Sequence, residues 1–320
     1  MLYRYALQGP GLISAGDVPL ADTIWIDLLE PTTEEERAVE TQCAIEVPTP
    51  EEMREIETSN RLYEEEGAVY LTSTIVTKLD SDLPQNSQVT FILKDGRLIT
   101  NRYTDPLPFR RFIAYAERHG PACGSGQAVL AGLIEAIINR VADVIERVSA
   151  DLDTISAEVF TREGRRRARA RDYQVVLERI GQCGELIAKT RESLVSLGRV
   201  LAFVQQATSV NLTNDVRTRL RTASRDVIAM SDHASFLGNN VSFVLDATLG
   251  MVNIDQNNIL KIFSVVTVFL LPPSVIGAIY GMNFDHIPWA HESWGFLAAL
   301  GLMFASALLP YLYFKRRRWL

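Results

Sequence analysis

The stretch AIYGMNFDHIPWAHESWGF, Ala278 to Phe296, is the break between two long apolar runs. Ile262–Tyr280, which leads into it, holds 19 residues without a charge, and Trp294–Phe314, which leaves it, holds 21. Each run is close to the ~20 residues that cross a hydrocarbon core of ~30 Å. Core helices of soluble proteins are rarely so long and so free of charge, so both runs read as transmembrane helices, about 262–280 and 294–314, joined by a loop at 281–293.

Working outward, the flanks set the orientation. FKRRRWL closes the chain with four consecutive basic residues, Lys315 to Arg318, while the loop has none. The positive-inside rule puts that end in the cytoplasm, and two crossings put the N-terminal 255 residues there too. The opening MLYRYALQGPGLISAGDV shows no charged-then-apolar signal pattern, which agrees. Tyr280, Trp289 and Trp294 on one side, and Tyr311, Tyr313 and Trp319 on the other, read as interfacial aromatics.

The charge is uneven. Residues 256–320 carry five basic and two acidic side chains, leaving 27 basic and 37 acidic in 1–255. So acidic a soluble part is a poor nucleic-acid binder, which needs clustered Lys and Arg, and it is compatible with attracting cations. The basic run Arg162–Arg171 reads as a solvated helix surface. Cys43, Cys123 and Cys183 are scattered and form no CxxC pair, so neither a disulfide framework nor a thiolate zinc site is expected. There is no GxxxxGK[ST] loop and no nucleotide fingerprint; the GPG at 9–11 and GSG at 124–126 read as turns, and no organic cofactor is expected.

Residues 1–125 read as an α/β domain. TIWIDLL (Thr23–Leu29) alternates as a strand and meets the turn EPT; an acid-led helix follows, capped by Thr32 or Thr33. AVYLTSTIVTK, QVTFILKD and RLITNRY are β-rich, with a hairpin turn at Lys94–Gly96. PFRRFIAYAERHG reads as a helix ending at Gly120. Residues 126–260 read as long helices: about Gln127 to Phe160, Tyr173 to Gln206, and a third from near Thr213 that meets no stop before the membrane domain, 261–320.

Two helices cannot enclose an aqueous path, so transport requires a ring of identical chains. The first membrane helix is the better lining element. Asn257, Thr267, Ser274 and Ala278 recur on it at near-heptad steps; Leu260, Phe263 and Leu271 share that face and would form apolar rings that gate by dewetting. The plainer role of such small residues is close helix approach. Pro272 and Pro273 are expected to bend the helix or free a carbonyl.

Gly281-Met282-Asn283, placed after the first of two terminal spans, resembles the signature of the CorA family of divalent-cation transporters. TIWIDLLEP, MVNIDQNNILKIFSVVTVFLLPPSVIGAIYGMNF and the closing PYLYFKRRRWL are similar to family sequence as well, so the resemblance spans essentially the whole chain. It implies a homopentameric funnel in a bacterial inner membrane, with an α/β cytoplasmic domain, a helical stalk continuous with the pore helix, and both termini cytoplasmic. It implies a filter of Gly281, Met282 and Asn283 at the periplasmic mouth, and the pore lining named above. It implies a further pore position at Asp246 and Mg2+ both as transported ion and as regulator. Glu55 and Asp226 are the nearest matches to the family's inter-subunit regulatory acids.

The chemistry of the asparagine fits. Mg2+ dehydrates reluctantly and demands octahedral oxygens. Amide carbonyls can accept hydrogen bonds from the waters of a hexahydrate without the trapping charge of carboxylates. Gly281 is expected to allow a sharp turn and Met282 to pack. The sequence departs from the magnesium transporters at Trp289, where they commonly carry glutamate; Asp285 is kept, and Glu292 lies three residues beyond Trp289. His286 and His291 are ligands that suit Zn2+, Co2+ or Ni2+. The expectation is therefore a passive, potential-driven magnesium channel gated by cytoplasmic Mg2+. A zinc, cobalt or nickel transporter is the alternative within the class, and a membrane-anchored sensor without transport is the alternative outside it.

Overall fold

The computed structural model describes residues 1–8, 11–14, 19, 22–78, 84–161, 173–282, 287–289 and 292–316. The chain divides into two compact units, Met1–Leu245 and Asp246–Leu320.

The first unit is built on strands β1 (Leu2–Gln8), β2 (Gly11–Ser14), β3 (Thr23–Leu29), β4 (Leu62–Glu65), β5 (Ala68–Thr77), β6 (Gln85–Lys94) and β7 (Arg97–Arg102), in the order β2-β1-β3-β7-β6-β5-β4. β3 and β7 pair in parallel and every other pairing is antiparallel. It follows that β3, β7 and β5 run the same way and end at the same edge. The expected hairpin at Lys94–Gly96 joins β6 to β7, with Asp95 and Gly96 at φ 49° and 78°; both lie in the left-handed region that such two-residue turns require.

Strand alternation sorts the side chains. Ile26, Leu28, Ile92, Ile99 and Tyr70 face a core shared with Val39 and Cys43 of helix α1 (Thr33–Cys43). Thr32 caps α1 through a full capping box with Glu35. Two one-turn helices follow, α2 (Pro50–Met53) and α3 (Thr58–Arg61). The other face holds Trp25, stacked on Tyr5 at 4.4 Å and tilted against Phe109 and Phe112 of α4 (Leu107–Ala116). α4 ends at Ala116, short of the expected Gly120, and a 3-10 turn occupies Gly120–Cys123.

The long helices are α5 (Gly126–Phe160), α6 (Tyr173–Gln206) and α7 (Asn214–Tyr280), the last running unbroken through Pro272 and Pro273. Ser125 caps α5, and Gly126 donates to the Gly96 carbonyl at 2.8 Å. A Cβ at Gly126 would overlap the backbone of Arg97 and Leu98 in β7. Backbone cannot swing aside, so Gly126→Ala is expected to cost about 1–3 kcal/mol, the range for overpacked sites, read as a lower midpoint in denaturant unfolding.

α6 crosses β5 where the short β4 leaves that strand unpaired. There Ser196 accepts from the Thr74 backbone N–H at 2.9 Å, and Arg61 donates to the Thr74 hydroxyl at 2.8 Å. α6 and α7 pack antiparallel with glycines at the contact. A methyl at Gly184 would meet Val241 at 3.3 Å, one at Gly198 would meet Val227 at 3.5 Å, and one at Gly238 would meet Ile187 at 3.7 Å.

The link between these helices is tied to the sheet edge. Glu64 of β4 accepts from the backbone N–H groups of Thr208 (3.1 Å) and Ser209 (3.2 Å) and from both hydroxyls. The Ser209 hydroxyl first, then the backbone donors, hold its carboxyl below the ordinary glutamate value. A depressed folded-state pKa gives stability that is present above the unfolded value of about 4.3 and lost as pH falls through the folded one. Glu64→Gln is therefore expected to lower the melting temperature at neutral pH, and the gap from wild type should close near pH 3.

Candidate functional site

The second unit holds the part of α7 from Asp246 onward and helix α8 (Gly295–Arg316). Within their most apolar windows only 6% of α7 and 11% of α8 is buried. Helices this apolar and this bare are not the core of a soluble fold; both are long enough to cross a membrane.

The two pack on each other along one face of α7. Phe269 lies 6.1 Å from Tyr311, and a methyl at Gly277 would stand 3.2 Å from Met303. Val265, Phe269, Pro272, Pro273, Ile276, Gly277 and Tyr280 are the buried or half-buried positions of that stretch. At 100° per residue they centre roughly opposite to Leu260, Thr267, Leu271, Ser274 and Ala278. All five of these are exposed in the single chain, as are Asn257, Phe263 and, further up α7, Asp246. The candidate lining residues thus share a face that α8 leaves uncovered.

That face has a chemical polarity which spacing alone did not reveal. The Thr267 hydroxyl donates to the Phe263 carbonyl at 2.9 Å and Ser274 donates to Leu270 at 2.7 Å. Ser264 donates to Leu260 at 2.8 Å. Each proton is used within the helix, so what these side chains turn outward is oxygen lone pairs, suited to the protons of a hydrated cation's water shell. Ser264, which the sequence reading leaves out, stands on this stripe beside the expected Phe263. The alternating steps 257, 260, 264, 267, 271, 274, 278 carry the signal.

α7 ends at Tyr280, where the signature begins. Gly281 N–H donates to the Gly277 carbonyl at 3.0 Å and Met282 N–H to Ile279 at 3.3 Å. The chain turns at Gly281 without entering the left-handed region, whose described glycines are Gly67 and Gly96. Its small size matters because a methyl would stand 3.2 Å from the Gly277 carbonyl. One expectation is corrected here. Met282 does not pack within the chain; it is 48% exposed. Asn283, Asp285, His286 and His291 lie outside the described residues. Glu292 is exposed in the turn leading into α8, and Trp289 and Trp294 approach to 5.7 Å.

The regulatory candidates stand in the first unit. Glu55 is exposed and accepts from the Asn60 amide, and Asp226 is exposed on α7. Among the described residues no group of three or more His, Cys, Asp or Glu side chains is close enough to hold a metal within one chain.

Fold and site together define a two-span membrane protein: an α/β unit carrying long helices, one of which continues as the first span and is followed in the sequence by Gly-Met-Asn. A family model described as CorA-like Mg2+ transporter protein matches residues 21–316, and the chain belongs to that family. It is 34% identical over 301 residues to the magnesium transport protein CorA of Yersinia pseudotuberculosis, covering 94% of this chain and 93% of that protein. It is 33% identical over 302 residues to the Escherichia coli K12 protein of the same name, with 94% and 93% covered. Among solved structures, the complete CorA magnesium transporter of Methanocaldococcus jannaschii superposes with a TM-score of 0.76 at 19% identity, covering 100% of this chain and 99% of that one. That last likeness concerns the fold.

Proposed function

We propose that this protein is a magnesium channel of the bacterial inner membrane, both termini cytoplasmic, passing hydrated Mg2+ inward without chemical fuel. The observation that carries the reading is the uncovered face of α7, whose hydroxyls turn acceptor oxygens outward and which leads directly into Gly281-Met282-Asn283. Family membership and full-length similarity to magnesium transport proteins support it.

In this reading five chains form a homopentamer within the lipid bilayer, and each contributes α7 to the pore. Asn283, with Gly281 and Met282, forms the filter; Asp285 and Glu292 draw cations to the outer mouth. Leu260, Phe263 and Leu271 form apolar constrictions, between which Asn257, Thr267, Ser274 and Ala278 leave polar or small steps, with Asp246 beyond on the cytoplasmic side. A potential of 100 mV gives a divalent ion roughly 4.6 kcal/mol, twice the ~2.3 per charge, enough for inward flow. Residues 1–125 form the cytoplasmic domain, 126–260 the stalk helices and 261–320 the membrane domain. Glu55 and Asp226 bind regulatory Mg2+ between subunits and hold the pore shut when the cytoplasm is replete.

The test is ion-specific flux in proteoliposomes. Potential-driven Mg2+ uptake is expected; Zn2+ uptake without Mg2+ uptake would replace the substrate, and no uptake of either would leave a sensor. Millimolar Mg2+ should also slow proteolysis of the soluble unit, and equal digestion with and without it would remove the regulatory role.

A further inference from the structure

A cavity of about 510 Å3 opens at the sheet edge where β3, β7 and β5 all end. This edge lies beyond the carboxyl ends of the one parallel pair among the described strands, β3 and β7. The volume lies within the usual range for small-molecule sites.

Its wall is cationic in a chain that is acidic overall. Lys78, Arg110 and Arg140 line it. Arg140 is only 7% exposed, with Asp143 at 3.9 Å as an ion-pair partner. The acids on the wall are Glu30 and Asp105. Asp105 shares its charge between Arg102 at 2.9 Å and the lining Arg110 at 3.5 Å, and three basic against two acidic side chains leave the wall net positive by one. Thr104 adds a hydroxyl oxygen that is buried and meets no hydrogen-bond partner among the described residues. Buried polar atoms in native proteins are seldom left unmet.

The rim is held in an unusual backbone conformation. Glu30 and Lys78 have φ of 44° and 54°. Glu66 and Asp95, also at positive φ, are each followed by a glycine in a turn, and Ala44 ends α1. Glu30 and Lys78 both stand at strand ends on this one cavity, and the remaining case, Trp289 at φ 64°, belongs to the second unit. Strain concentrated at a concave site points to a ligand.

We propose that this cavity binds a small phosphate-bearing anion, with Lys78, Arg110 and Arg140 meeting the phosphate oxygens and the Thr104 hydroxyl donating to one of them. Guanidinium and ammonium groups in one concave wall, with a hydroxyl donor between them, suit phosphate oxygens. Free phosphate and nucleoside polyphosphates share that chemistry, and the cavity is large enough for either.

The site is tested on the purified full-length chain in detergent, by calorimetric titration with inorganic phosphate, pyrophosphate, adenosine and ATP in metal-free buffer. Saturable binding of at least one phosphate compound, one per chain, is expected, with none for adenosine. Pyrophosphate or ATP binding much tighter than phosphate would assign a polyphosphate; equal binding would assign the free anion. Lys78→Gln/Arg110→Gln changes two exposed side chains and should weaken binding at least tenfold, about 1.4 kcal/mol. Thr104→Val should weaken it less, with the melting temperature kept. Absence of saturable binding up to millimolar ligand, equal binding of sulfate, or unchanged affinity in the double variant would overturn the proposal. Because no ion flux is measured, the result is independent of the transport reading.

Discussion

Asn283→Ala is expected to abolish Mg2+ flux, a loss of at least a hundredfold in proteoliposomes, while the oligomer still migrates as wild type. In the proposed pore the amide oxygen, repeated around the ring, replaces bulk water as acceptor for the first-shell waters of the hexahydrate. Removing one hydrogen bond to a charged group costs about 1.5–3 kcal/mol. The change removes one from every subunit at once, and a methyl cannot restore any of them. Asn283→Asp separates chemistry from shape: it keeps the acceptor and adds charge, so ions should bind more tightly and leave more slowly. Wild-type flux in the alanine variant would exclude Asn283 from the filter.

The second large effect is on folding. Asp27→Asn is expected to destabilise the soluble unit by about 3–5 kcal/mol, the range for a buried pair that loses one charge. Asp27 and Arg102 are 0% and 2% exposed. The guanidinium meets the carboxylate through Nε at 3.0 Å and Nη2 at 2.8 Å. Thr100 donates to the same carboxylate at 2.7 Å and accepts from the Trp25 indole at 2.9 Å. Arg102 also donates to the Thr104 carbonyl and to Asp105, and lies 4.7 Å over the Phe109 ring. Burial opposes the charge on Arg102, and Asp27 and then Asp105 outweigh it, so its pKa is raised. Asp27→Asn removes the main influence that raises it, yet a guanidinium stays protonated in proteins, so the amide leaves a buried charge with Asp105 as its remaining counter-charge. Asp27→Leu/Arg102→Met removes both charges and should recover part of the loss in chemical denaturation. If the double variant is as unstable as the sum of the two single ones, the pair is not coupled as drawn.

Asp27 and Arg102 also mark the limit of reading along the chain. Asp27 sits in TIWIDLL and Arg102 in RLITNRY, both legible as strands from their alternation. Nothing in either segment says that the two strands lie side by side in parallel register, which is what joins the charges. Strands β1, β2 and β4 are not legible along the chain for a related reason. β2 and β4 are four-residue edge strands, and β1 buries two of its seven residues, so their stability comes from their neighbours and not from their own pattern. The three long helices, by contrast, were legible nearly to the residue, because apolar spacing and capping residues are local signals.

By itself the sequence determined what chain-local physics can determine. Uncharged runs of membrane length fix the two spans, helical periodicity fixes α5 to α7, and Gly281-Met282-Asn283 between two terminal spans, with the basic ending, points to the family. The tertiary structure decided what depends on partners distant in the chain: the sheet order, the buried Asp27–Arg102 pair, and the face of α7 that α8 leaves bare. It also decided which way the hydroxyl protons on that face point. Spacing can place Thr267 and Ser274 on one side of a helix, but each spends its proton on a carbonyl one turn back, and only folded backbone holds that carbonyl within reach.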